Sequence, residues 1–260
     1  MSELRWVKLE SSEIGVRTLL LDRPPVNALG RELVDDLTLV LDLLKRDDGC
    51  RCLVVRPAGG HFCAGADLKE RRTMTLDEVR RFVPRLAAVC HALASMPCPT
   101  IAAVRGAAVG GGCELALACD LRVLAEDAKI GLAETSLGIS PGAGGTQRLP
   151  RLIGPMRAKR WIFTGRVHGA MEALADGLAD RVVPDALLSR EVQDLAEAIA
   201  ACGPLANRLA KRAIDGGGDL PLERGLELEW ECYQETLGTE DRVEALEAFA
   251  AKRKPRFRGR

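Results

Sequence analysis

The stretch Gly106-Ala107-Ala108-Val109-Gly110-Gly111-Gly112-Cys113-Glu114-Leu115-Ala116-Leu117-Ala118-Cys119 decides the fold. An apolar run suited to a buried strand (residues 100–104) leads into it, consecutive glycines follow, and an apolar helix begins. A second short apolar run (121–124) comes straight after. Strand, glycine turn, helix and strand again is the rhythm of an α/β protein. The first turn of a helix leaves amide N–H groups unpartnered and carries the positive end of the helix dipole. Glycines there let another molecule approach the main chain, which suits stabilisation of a developing oxyanion. The segment is not a phosphate-binding P-loop, because no Gly-Lys-Ser/Thr follows, and it holds no clean GxGxxG. Glu114 is the anomaly, a carboxylate in the first turn of an otherwise apolar helix. Burying an acid is costly unless it is paired or used. Helix-start electrostatics is the plainer alternative.

Two more segments have a similar character. His61-Phe62-Cys63-Ala64-Gly65-Ala66-Asp67-Leu68-Lys69-Glu70 places small residues between a strand and a charged helical stretch. Taken alone it reads as an ordinary strand-to-helix turn. Residues 131–149 set Glu134 among small and apolar neighbours, then run through the glycine-rich Pro141-Gly142-Ala143-Gly144-Gly145. Taken alone that is a turn and a cap. Together the three are more specific. Two glutamates 20 residues apart sit in apolar settings beside loops rich in backbone donors. Paired carboxylates divide acid and base work when their surroundings set different pKa values. The combination suits proton chemistry α to a carbonyl, or addition of water to a conjugated alkene.

Working outward, residues 4–10 and 15–21 alternate like strands, and 32–44 carries a helical apolar stripe. Residues 52–55 form a short strand, and 76–94 has helical periodicity with an expected interruption at Pro84. From Pro155 onward the pattern is mostly helical. The expected division is a core over residues 1–202 and a helical region over 203–260.

The whole chain of 260 residues balances 37 basic against 37 acidic side chains, which excludes a protein basic throughout its length. The charge is unevenly placed. Residues 252–260 carry six basic side chains and no acid. No run approaches the roughly 20 apolar residues of a membrane helix. Residues 1–6 show neither an apolar signal core nor an Arg- and Ser-rich leader, so the expected location is cytoplasmic, or the mitochondrial matrix after removal of a leader. Nine cysteines, many in apolar stretches, read as reduced packed thiols. Cys113 and Cys119 have no nearby histidine and read as packing residues. His61, His91 and His168 show no metal-ligand spacing, so no metal is expected.

At these motifs the chain resembles the crotonase, or enoyl-CoA hydratase/isomerase, superfamily. The match begins at Leu21-Asp22-Arg23-Pro24 and Asn27-Ala28-Leu29 and passes through Phe62–Asp67, Gly110–Ala116, Pro141–Leu149 and Phe163-Thr164-Gly165-Arg166. It ends at residues 248–254. The resemblance implies an α/β spiral of ββα units with a C-terminal helical region that builds trimers, often paired into hexamers. It implies an acyl-CoA thioester substrate and no separate cofactor, coenzyme A being part of the substrate. Ala66 and Gly111 match the positions whose amides hold the thioester oxygen. Glu114 and Glu134 match the hydratase carboxylates, the first helping to deprotonate a water for attack at C3 and the second protonating C2. Gly142 matches a backbone position supporting that water. Val26, Ala64, Asp67 and Leu68 match the path of the CoA, and Phe249 and Lys252 match residues that a neighbouring subunit contributes to it. One departure is a shortened loop. Only Pro25 and Val26 separate Arg23-Pro24 from Asn27-Ala28-Leu29, where the family commonly has three residues, often with a lysine.

Within the superfamily the chain looks most like the methylglutaconyl-CoA hydratase group, on Phe62–Arg71, Leu115–Val123 and Gln147–Arg151. A distal carboxylate on such an acyl group calls for a cation, and Arg71, Arg72, Arg80 and Arg81 are candidates by neighbourhood. The implied activity is hydration of a short-chain 2-enoyl-CoA, with isomerisation as the alternative. RNA binding is disfavoured, because residues 31–48 hold three basic side chains (Arg31, Lys45, Arg46) against six acids.

Overall fold

The apolar runs around the glycines become the inner strands of a parallel sheet. The computed structural model describes residues 4–260. The first turn of the chain consists of β1 (Val7–Ser11), β2 (Val16–Leu21) and α1 (Arg31–Leu44). The second has β3 (Cys52–Pro57), α2 (Leu68–Arg71) and α3 (Leu76–Ala94). The third has β4 (Thr100–Val104), β5 (Ala107–Val109) and α4 (Gly111–Leu117). The fourth has β6 (Leu121–Ala125), β7 (Lys129–Gly131), a 3-10 turn at Glu134–Leu137, α5 (Gly145–Ile153) and α6 (Pro155–Thr164). Then come β8 (His168–Gly169), α7 (Ala170–Asp176), β9 (Arg181–Val183) and α8 (Asp185–Ala200). The chain closes with α9 (Pro204–Gly217), α10 (Leu222–Leu237) and α11 (Glu240–Ala250).

One sheet runs in the order β1-β2-β3-β4-β6-β9, parallel from β2 onward. Its central strands are buried on both faces, as parallel strands covered by helices must be. In β4 every residue of Thr-Ile-Ala-Ala-Val is buried. A second stack consists of β5, β7 and β8. Two isolated bridges, Leu29 with Ala66 and Cys63 with Ala108, link the earlier turns in the same manner. The first turn thus places two strands in the main sheet and the next three one each, and the connections that follow are joined to one another by short strands or bridges. This is the expected spiral, and the fold is crotonase-like α/β.

Helix α1 turns Leu33, Val34, Leu37, Val40, Leu41 and Leu44 into the core, one face of a 3.6-residue period. Helix α3 starts at a capping box between Thr75 and Glu78. Contrary to expectation, Pro84 does not interrupt it. The helix is continuous, and Pro84 lies on its exposed side, where the carbonyl four residues back can meet solvent. Residues after 155 are also less uniformly helical than expected, since β8 and β9 interrupt them. All nine cysteines are free, and only Cys202 is exposed.

The principal apolar cluster ends at Ala200. Helix α9 is tied back by polar contacts, with Lys211 Nζ 2.7 Å from Asp120 Oδ2 and Arg208 Nη2 donating to the Asp48 carbonyl at 2.9 Å. Helix α10 leaves Leu222, Leu226, Trp230, Tyr233 and Leu237 exposed. Their spacing of three and four places them in one stripe. The basic tail folds back on α11, where Asp241 accepts from the amides of Arg258 (2.6 Å) and Gly259 (2.8 Å). Arg253 pairs with Glu244 and Arg260 with Glu240.

Candidate active site

The second stack brings the three glycine-bearing segments together. Cys63 N–H donates to the Ala107 carbonyl (2.9 Å), and Val109 N–H donates to the Cys63 carbonyl (3.0 Å). Gly110 N–H in turn donates to the Gly131 carbonyl at 2.8 Å. The fit is tight enough to require glycine. A Cβ at Gly112 would stand 1.9 Å from the Cys63 carbonyl oxygen.

This stacking sets the amides. Leu29 N–H donates to the Gly65 carbonyl at 2.7 Å, and Asp67 N–H donates back to the Leu29 carbonyl at 3.2 Å. In a parallel bridge the flanking residues make the bonds, so the Ala66 amide turns away. Gly111 begins α4, where no preceding turn can accept from its amide. Among the described residues neither amide has an acceptor. The two lie close, since a Cβ on Gly65 would be 3.4 Å from the Gly111 nitrogen.

Glu114 is 2% exposed. Its Oε1 accepts from the amides of Ala143 (2.7 Å) and Gly145 (2.9 Å). Burial raises its pKa above the ordinary carboxylate value, although those two amides and the nearby Arg148 guanidinium oppose the shift. Glu134 begins the 3-10 turn after β7. Its Oε2 is buried without a partner. Burial first, and the Glu114 charge in addition, push its pKa up to about 7. The two acids border adjacent glycines. A Cβ at Gly110 would lie 3.2 Å from Glu134 Oε1, and one at Gly111 would lie 4.0 Å from Glu114 Oε2. The arrangement therefore holds one carboxylate anchored by amides, one carboxyl that takes a proton near neutrality, and two free N–H donors. It can move a proton on and off a carbon beside a polarised carbonyl.

Gly142 adjoins Ala143 under α3, where an added Cβ would stand 2.8 Å from Val83 Cγ1. Val26 and Ala64 are joined by an amide-to-carbonyl bond of 3.0 Å. The Asp67 side chain caps α2 through the amides of Lys69 and Glu70 and pairs with Arg23 at 2.7 Å. Those bonds, that to Arg23 first, hold its carboxyl below the ordinary carboxylate range. Leu68 is exposed. Phe249 and Lys252 lie apart from this cluster, at the end of α11, with Phe249 85% exposed and the Lys252 amide bonded to the Phe249 carbonyl. Sequence reasoning missed Arg148. Its Nη1 donates to the Ala143 carbonyl at 3.1 Å, holding the loop that holds Glu114. Its position one turn into α5, after the glycine-rich loop, was the available signal.

Over residues 11–260 the chain matches the family described as Enoyl-CoA hydratase/isomerase. It is 47% identical over 271 residues to an enoyl-CoA isomerase/hydratase of Mycosarcoma maydis, covering 100% of this chain and 99% of that one. It is 47% identical over 264 residues to the mitochondrial methylglutaconyl-CoA hydratase of Homo sapiens, covering 99% of this chain and 78% of that protein. The crystal structure of an enoyl-CoA hydratase from Bacillus anthracis superposes with a TM-score of 0.96 at 43% identity, covering 98% of this chain and 100% of that chain.

Proposed function

The chain belongs to the enoyl-CoA hydratase/isomerase family, and we propose that it adds water reversibly across the 2,3 double bond of a short-chain 2-enoyl-CoA. The observation that carries this reading is the unequal pair of acids. Glu114, whose Oε1 is held by two amides, takes a proton from water as the oxygen attacks C3. Glu134, poised near pH 7, gives its proton to C2. The free amides of Ala66 and Gly111 stabilise the charge that moves onto the thioester oxygen. Gly142 borders the water site. No cofactor takes part beyond the coenzyme A of the substrate.

The CoA runs along Val26, Ala64, Asp67 and Leu68, with Phe249 and Lys252 reaching it from a neighbouring subunit. The exposed α10 stripe supports that assembly, with residues 203–260 as the region that builds a trimer or hexamer. A carboxylate-bearing acyl group, as in 3-methylglutaconyl-CoA, is supported by Arg71. Its guanidinium is half-buried, 5.1 Å above the Phe82 ring, one turn before Leu86, which borders Gly111. Arg80 instead pairs with Asp77 at the surface. The expected setting is the cytoplasm, or the mitochondrial matrix in a eukaryote. Among the described residues no helix is long and apolar enough to cross a membrane.

The test is an absorbance assay across a panel of enoyl-CoA thioesters. Hydration removes the conjugated thioester band of 2-enoyl substrates, and the product gains the mass of water. Turnover confined to 3-enoyl substrates, with conjugation gained and no water added, supports the isomerase reading that the name of the Mycosarcoma relative keeps in view.

A further inference from the structure

We propose that Cys50 and Cys98 form an oxidation site at which a peroxide closes a disulfide. The pair lies outside the catalytic machinery, and the inference does not rest on the hydratase reading. Cys50 precedes β3 and Cys98 precedes β4. Because these strands are parallel, with Leu53 opposite Thr100, the residues before them meet. Both side chains are buried, and the two sulfurs are 3.3 Å apart. Closing that gap to a bond takes little more than an ångström of movement.

The surroundings favour a thiolate on one partner. Helix α9 lays two cations over the pair. Arg208 Nη2 lies 3.4 Å from the Cys50 carbonyl oxygen, and Lys211 Nζ lies 3.5 Å from that of Cys98. The two sulfurs share a hydrogen bond, and that contact, helped by both cations, holds the Cys98 thiol below its ordinary pKa despite burial. A cavity of about 790 Å³ lined in part by Pro99, Asp120 and Lys211 lies beside the residue that follows Cys98.

The chemistry balances with peroxide as the oxidant. The Cys98 thiolate attacks one peroxide oxygen, the O–O bond breaks, and hydroxide leaves to collect a proton as water. Sulfur is oxidised to the sulfenic acid and oxygen is reduced. The Cys50 sulfur then attacks the Cys98 sulfur. The S–S bond forms, the S–O bond breaks, and a second water leaves with the Cys50 proton.

The experiment treats the native full-length chain with hydrogen peroxide, alkylates remaining thiols after denaturation, and maps peptides by mass. The expected result is a Cys50–Cys98 linked peptide lacking two hydrogens, reversed by dithiothreitol and still formed in Cys202→Ser. In Cys50→Ser no linkage forms, and Cys98 is recovered as the sulfenic acid or a higher oxide. Oxidation confined to the exposed Cys202, or linkage through other cysteines, overturns the proposal. Because the readout on the unsubstituted chain suffices, a poorly folded variant does not blunt the test.

Discussion

The spiral core and the C-terminal helices deal with their apolar residues in opposite ways. Residues up to Ala200 form a continuous interior of strands and helix faces. In α10 five large apolar residues face outward in a single stripe. Contiguous exposed apolar surface of this kind is unusual in a protein that functions alone. The core is complete as a packing unit, whereas α10 has packed one side on α9 and left the other for a different surface. The acids of the site and the α10 stripe are thus distinct groups, and in the proposed assembly only Phe249 and Lys252 would link the two across a subunit boundary.

The sharpest separation comes from the acids. Glu114→Gln and Glu134→Gln should each lower turnover by about 10³-fold, leaving the assembly state and CoA binding nearly unchanged in sedimentation and calorimetry. Loss of assembly in either variant would break the comparison. Gly112→Ala strikes the core directly, because its Cβ has no room beside the Cys63 carbonyl. It should cost about 3 kcal/mol, read as a lowered urea midpoint. Trp230→Lys, on the stripe, should weaken self-association by about 2 kcal/mol, roughly 30-fold in the dissociation constant. Its far-ultraviolet circular dichroism should stay native. Unchanged assembly would show that the stripe serves something else. The gentlest probe is pH. A group whose pKa is raised to about 7 is protonated below that value and loses its proton above it. Hydration, which needs the proton on Glu134, should fall about tenfold for each pH unit above 7. Dehydration runs through the same singly protonated pair, with the proton on Glu114, so its kcat/KM should fall together with that of hydration above pH 7. Glu134→Gln should abolish that limb.

The inner strands β3 and β4 were legible because each holds four consecutive apolar residues bounded by proline or glycine, whereas the edge strand β9, three residues long, was not. Neither was the second stack. Strands of two or three residues, such as Ala107–Val109 and His168–Gly169, are too short to show alternation, and they form because neighbouring turns already hold them in register. Glu114 and Glu134 were visible as acids in apolar settings. The two amides that anchor Glu114 were not, since Ala143 and Gly145 display nothing in a sequence but small size. Pro84 misled because its place in a strand-and-helix pattern says nothing of which helix face meets water. The tail was read from its charge and from the resemblance at Lys252. In the fold, Asp241 captures its backbone rather than its side chains.

Two donors of the site belong to the main chain, and this limits what side-chain replacement can reveal. Exchanging the methyl of Ala66, or adding one at Gly111, perturbs shape but leaves each N–H where it is. A scan of side-chain replacements would thus register loud positions at the acids and near silence at the amides. Their worth shows only when the linkage itself is edited, for instance by an ester in place of the amide, a change the genetic code does not offer.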